Sequence, residues 1–231
     1  MTHRFSYADI MGLSKIRRIN LVNSFPGFKS ANLIGTISPD GQTNVAIFNS
    51  VIHLGANPPY MGFIMRPLTV QRDTYDNIKA TRFFTINHIH DEMYKRAHQT
   101  SAKYEGSEFE ACALEAQFLD GFKAPYVGES RVKMGLELAE EHHIEANGTV
   151  LIVGKVVESY VEDECLQKDY HIDLDKARTV AISALEFYHR TERIEQMHYA
   201  RPEFPQHYEE MGNARRKAMQ ESMNEHKETA E

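Results

Sequence analysis

Two pairs of short apolar runs, each broken by a tight-turn signal, constrain this chain more than any other feature. In "SANLIGTISPDGQTNVAIF" (30–48), apolar and β-branched residues flank Pro39-Asp40-Gly41, chemistry that folds one strand back on the next. In "RVKMGLELAEE" (131–141), Val132, Met134, Leu136 and Leu138 fall at every second position, the period of a half-buried strand. Glu145-Ala146-Asn147-Gly148 then turns the chain into "TVLIVGKVVESYV" (149–161), which predicts a second hairpin.

The rest of the chain is read around these hairpins. "YMGFIM" (60–65) is a third strand, introduced by Pro58-Pro59, which lack the N–H groups a central ladder needs. "DTYDNIKATR" (73–82) predicts a short helix with Asp73 as N-cap and Asp76 three positions on. "FFTINHI" (83–89) is a strand, and "DEMYKRAHQ" (91–99) a second short helix capped by Asp91. "TVAISALEFYHRTERI" (179–194) fits strand or helix. From Gln206 onward the sequence is charged with few large apolar residues, which predicts a surface helix, or an arm onto a partner subunit. Strands dominate and helices are short, so an antiparallel barrel with appended helices fits better than a parallel α/β sheet.

Composition narrows the function. A net charge of −7 argues against a general nucleic-acid binder. No run approaches the ~20 apolar residues of a membrane span, and "MTHRFSYADIMGLSKIRRIN" lacks the apolar stretch of a signal peptide. Two cysteines, Cys112 and Cys165, suit a reduced cytoplasmic protein rather than a disulfide framework. There is no GxGxxG, no GxxxxGK[ST] and no GxSxG. His88, His90, His98, His142 and His143 come without an HExxH or CxxC companion, so they read as polar histidines rather than metal ligands.

One constellation stands out. Within residues 43–78 the chain supplies Asn44, Asn49, Ser50, Arg66, Arg72 and Thr74, with flexible Gly55 between. Amides suit the polar edge of a flat heterocycle. Guanidinium groups, hydroxyls and a helix start near Thr74 suit a phosphate. If Asp73 caps that helix, it competes for the same donors.

These residues also carry a resemblance. "DGQTNVAIFNSV", "NPPYMGFIM" and "RDTYDNIKATRFFTIN" resemble, in order and spacing, the flavin reductase-like family, the FMN-binding split barrels related to flavoredoxin. "TSAKYEGSEFEACAL" and "GTVLIVGKVVESYV" extend the similarity. It runs from about Arg18 to Pro202, leaving 1–17 as an N-terminal extension, 18–202 as the domain and 203–231 as a helical tail. The resemblance implies a mainly β fold, an antiparallel split β-barrel with short peripheral helices. It implies that Asn44, Ala46, Asn49, Ser50 and Val51 line the isoalloxazine and ribityl chain. It places Arg66, Arg72 and Thr74 near the phosphate, and Ser101 and Lys103 in a loop approaching the flavin. Asn49, where relatives often carry Ser, and His53 depart from the pattern. A homodimer is implied as well.

The leading expectation is an FMN-dependent oxidoreductase taking hydride from NADH or NADPH. Such a reaction needs no protein acid or base, because the cofactor carries the chemistry. The competing readings are an FMN electron carrier reduced by a partner protein, and a non-catalytic module holding flavin or haem, with His53 or His88 as candidate haem ligands.

Overall fold

The structure is a computed structural model that describes residues 1–197. The chain divides into two units, Met1–Thr191 and Glu192–Glu231. The expected tail helix over 203–231 lies outside the described residues. Two short helices, α1 (Tyr7–Gly12) and α2 (Lys15–Ser24), come first and bury none of their residues. They were not expected from the sequence, because their helical period carries so little apolar signal. Then follow β1 (Lys29–Ser30), β2 (Asn32–Ile37), β3 (Thr43–Phe48), β4 (Ile52–Ala56), β5 (Pro59–Met65), α3 (Asp73–Thr81), β6 (Phe83–His88), α4 (Tyr94–Gln99), α5 (Glu108–Ala111), β7 (Ala116–Gln117), β8 (Tyr126–Val127), β9 (Val132–Ile144), β10 (Thr149–Val161), β11 (Val180–Ser183) and β12 (Phe187–Arg190). No helix of the described residues is long and apolar enough to cross a membrane.

Both expected hairpins are present. β2 pairs with β3 around the Ser38–Gln42 turn, where Gly41 takes φ +93°, a conformation that favours glycine. β9 and β10 run antiparallel from Val132↔Val161 to Ile144↔Thr149. The ambiguous stretch 179–194 resolves as the β11–β12 hairpin. The stretch between the expected strands, Ile52–Ala56, forms a strand of its own: β4 pairs with β5, and a cis Asn57-Pro58 peptide lies between them.

The main sheet has the order β3-β2-β6-β9-β10-β5-β4, every neighbouring pair antiparallel. Its two edges, β3 and β4, are consecutive in sequence and joined only by Asn49, Ser50 and Val51. In a flat seven-stranded sheet those edges would stand about 29 Å apart, whereas four Cα steps reach about 15 Å at most. The sheet must therefore curl. No backbone ladder joins β3 to β5 at the seam, which makes this a split barrel. A smaller sheet, β1-β11-β12, packs outside it.

β2 is buried on both faces and divides the core. Leu33 points to a cluster with Val45, Ile89, Met93, Phe109 and Ile182. Its neighbour Ile34 points into the barrel with Phe63, Phe84, Ile86, Leu136 and Ile152. The period-two alternation that predicts strands here serves two cores rather than one core and solvent.

Two helix starts differ from expectation. Arg72, not Asp73, occupies the N-cap of α3, and no side chain caps it. Asp73 instead accepts from Gln71 Nε2 at 2.9 Å. α4 begins at Tyr94 because Asp91, its expected cap, is held by Arg178 and Arg190, each Nε 2.8 Å from a carboxylate oxygen.

Two predictions follow from packing. A Cβ on Gly35 would lie 2.2 Å from the Pro125 carbonyl oxygen and 2.6 Å from Thr85 Oγ1, and backbone cannot give way cheaply. Gly35→Ala is expected to destabilise the protein by about 1–3 kcal/mol or more in urea melts. Burial also holds the His88 imidazole down at about 4, while the unfolded side chain protonates near pH 6.5. Between those values the unfolded chain binds the extra proton, so stability falls as pH drops, by up to about 1.4 kcal/mol per unit. Urea melts from neutral pH to about pH 5 should show this slope, and His88→Gln should flatten it.

Candidate cofactor site

The seam of the barrel gathers most of the polar constellation. β3 is an edge strand, and Ala46 through Val51 are only half-buried. Small Ala46 stands opposite Ile34 on β2. The polar side chains of this stretch already have protein partners. Asn44 is buried, and its Nδ2 donates to Thr36 Oγ1 at 3.0 Å and Thr74 Oγ1 at 3.1 Å. Asn77 Nδ2 donates to the same Thr36 oxygen at 3.1 Å. Asn49 Nδ2 donates to the Ala184 carbonyl at 3.2 Å, an acceptor shared with Lys29 Nζ at 2.8 Å. These bonds tie the β11–β12 turn and the end of β3 together.

Ser50 is the seam's pin. Its hydroxyl donates to the Ile64 carbonyl and accepts from the Ile64 N–H, both at 3.1 Å. One side chain thus replaces the ladder bonds that a neighbouring strand would supply to β5. Val51 packs its side chain against the barrel core, and its carbonyl accepts from Ser30 Oγ at 3.4 Å.

The cationic half lies on the link between β5 and α3. Arg66 is exposed just beyond β5. Arg72 is half-buried at the start of α3, and its Nε is buried without a hydrogen-bond partner. Beside it is an open cavity of about 240 Å³ lined by Leu68, Val70, Arg72, Tyr75 and Asp76, among others. Because no side chain caps α3, the feared competition from Asp73 as a cap is absent. Asp73 and Asp76 still place negative charge in that first turn, so the arginines must dominate any attraction for an anion.

Ser101 and Lys103 are exposed between α4 and α5. Among the described residues, no hydrogen bond or ion pair joins either side chain to the β3–α3 group. Their stretch does reach β3 further on, where Thr43 Oγ1 lies 2.9 Å from Ser107 Oγ. Glu108 is a neighbour that sequence reasoning missed. Its carboxyl is pushed up by burial, the Val45 backbone beside it opposing that shift. Nothing in its local sequence marks it; only the packing of α5 on β3 does.

The alternatives fare differently. His53 is exposed on β4. His88 Nδ1 faces Thr179 Oγ1 at 3.3 Å, while His90 Nδ1 accepts the Glu92 N–H at 3.3 Å, so the two histidines do not converge.

Fold and seam together define an antiparallel split barrel. A model of the flavin reductase-like domain matches residues 27–191, and the chain belongs to that family. A split-barrel protein of Shewanella frigidimarina NCIMB 400, provisionally named a flavin reductase, is 46% identical with a TM-score of 0.83, covering 86% of this chain and 100% of that one. Nitrilotriacetate monooxygenase component B from Bacillus cereus is 17% identical with a TM-score of 0.75, covering 85% and 98%. Flavoredoxin of Desulfovibrio vulgaris (Miyazaki F) is 23% identical with a TM-score of 0.63, covering 74% and 90%; the last two share the fold. No curated protein matches the chain. Membership of this family makes the protein a flavin-related oxidoreductase.

The seam yields its own prediction. Ser50→Ala leaves both Ile64 backbone groups without this partner and should cost about 1–3 kcal/mol. Amide exchange should quicken at Ile64 first, with the β9–β10 hairpin unaffected until global unfolding.

Proposed function

We propose that the chain binds FMN along the seam and transfers hydride to it from NADH or NADPH. The observation that carries this reading is the buried Nε of Arg72, without a hydrogen-bond partner, at the uncapped start of a helix that bonds to β3 through Thr74 and Asn44. A buried donor without a partner is costly, and a phosphate oxygen would satisfy it with a charge-assisted bond. In this reading Arg66 and Arg72 hold the phosphate, with the Thr74 hydroxyl beside them. The backbone of Asn49, Ser50 and Val51 faces the ring, and Ala46 makes room for it. Ser101 and Lys103 approach from the facing loop.

The bound flavin supplies the hydride-accepting chemistry. The protein's own work is to hold the phosphate, align the ring against β3 and keep one ring face open to a nicotinamide. No acid or base is required of it, and we assign no catalytic residue. The half-open edge of β3 also favours a second copy of the chain as partner, in a homodimer. Two buried, free cysteines favour a reducing compartment such as the cytoplasm.

The test is a titration of the purified protein with FMN and with riboflavin, followed by NADH and NADPH oxidation with FMN present. We expect FMN binding and turnover of one nicotinamide in preference to the other. Arg72→Gln should weaken FMN by about 10- to 100-fold while leaving riboflavin nearly unchanged. Protein that binds neither flavin and oxidises neither nucleotide would overturn the proposal. Tight FMN without turnover, reduced only through a partner protein, would select the electron-carrier reading instead.

A further inference from the structure

Four buried polar side chains join the ring wall to the phosphate end. Asn44 lies on β3, two residues before Ala46, and Thr36 faces it across the β2–β3 ladder. Thr74 and Asn77 lie three apart on α3, on one helix face. Thr36 is wholly buried, and the other three are each at most 7% exposed. Among the described residues, the bonds from Asn44 Nδ2 to Thr74 and from Asn77 Nδ2 to Thr36 are the two hydrogen bonds that join α3 to this hairpin, and the Asn44–Thr36 bond ties the hairpin's own strands together.

Apolar packing alone would hold α3 in place, since Ile78 already enters the barrel core. Packing by itself tolerates small slides and rotations. A hydrogen-bonded network does so less readily, because each shift leaves a buried group unsatisfied. The network also sets polarity. Asn44 has two amide hydrogens and uses one on each threonine. Thr74 Oγ1 therefore spends acceptor capacity on Asn44 and keeps its own proton to donate. That hydroxyl stands two residues from Arg72, where a phosphate oxygen needs donors.

Resting on the flavin reading above, we propose that Asn44 is a positioning residue for the phosphate end rather than a contact to the flavin ring. Through Thr36 and Thr74 it fixes the start of α3, and with it Arg72, relative to the β3 wall. It thereby makes the site prefer a phosphorylated flavin over riboflavin. A direct ring contact would weaken both ligands alike, whereas a positioning residue weakens only the one with the phosphate.

The experiment titrates the full chain with FMN and with riboflavin by flavin fluorescence, in wild type, Asn44→Ala, Asn77→Ala and Thr36→Ser. Thermal melts without ligand confirm that each variant folds. We expect Asn44→Ala to lose about tenfold or more in FMN affinity and less than about twofold in riboflavin affinity. Asn77→Ala, which keeps the Thr74 bond, should shift the FMN-to-riboflavin ratio less in the same direction. Thr36→Ser, which keeps the hydroxyl, should hold the wild-type ratio. If Asn44→Ala does not fold, the shift in ratio for Asn77→Ala decides. Parallel loss of both ligands, or no change in either, overturns the positioning role while leaving the flavin reading intact. Wild-type protein that binds neither flavin overturns that reading and this proposal with it.

Discussion

The link Asn49-Ser50-Val51 sets the geometry on which everything else depends. It joins the two edge strands of one seven-stranded sheet, so the sheet closes on itself or the chain breaks. Closure creates a seam without a backbone ladder, and a seam needs other hydrogen bonds. Ser50 supplies them to Ile64, and Asn49 supplies one to the β11–β12 turn. The polar residues that interrupt an apolar stretch are thus the price of closing a barrel with so short a connection.

The same closure brings β5 and its following link beside β3. Arg66 and Arg72 lie on that link, and the Asn44 network fastens the helix that follows. Protein partners absorb most of the amides and hydroxyls in this region. What is left over includes the buried Nε of Arg72 at the start of α3, with Asp73 and Asp76 in the same turn and a half-buried strand edge nearby. In the proposed reading, the fold satisfies most of its own polar groups and leaves the Arg72 Nε for the ligand's phosphate.

Much of this was legible in the sequence, and the failures have identifiable causes. The β2–β3 and β9–β10 hairpins were readable because alternation and turn chemistry agree within each. β4 was not. Its Ile52, His53, Leu54 stretch runs straight into Gly55 and two prolines, and an edge strand with an exposed face imposes little pattern. Asp73 and Asp91 looked like caps by type and position; long-range partners, Arg178 and Arg190 for Asp91, claimed one of them. Asn44, Asn49 and Ser50 stand out in the sequence as polar groups for a ligand, yet each side chain has a partner within the protein. Those partners, Thr74, Ala184 and Ile64, lie 14 to 135 residues away, a pairing that no local window contains. Glu108 was missed for the same reason.

Amide hydrogen exchange of the full chain, with and without FMN, tests the central claim most directly. Added protection should concentrate in two segments, residues 44–51 along the seam and 66–78 through the start of α3. The turn between β9 and β10, residues 145–148, should not change. FMN-induced protection centred on that turn or spread evenly over the barrel, or no protection at saturating FMN, would contradict it.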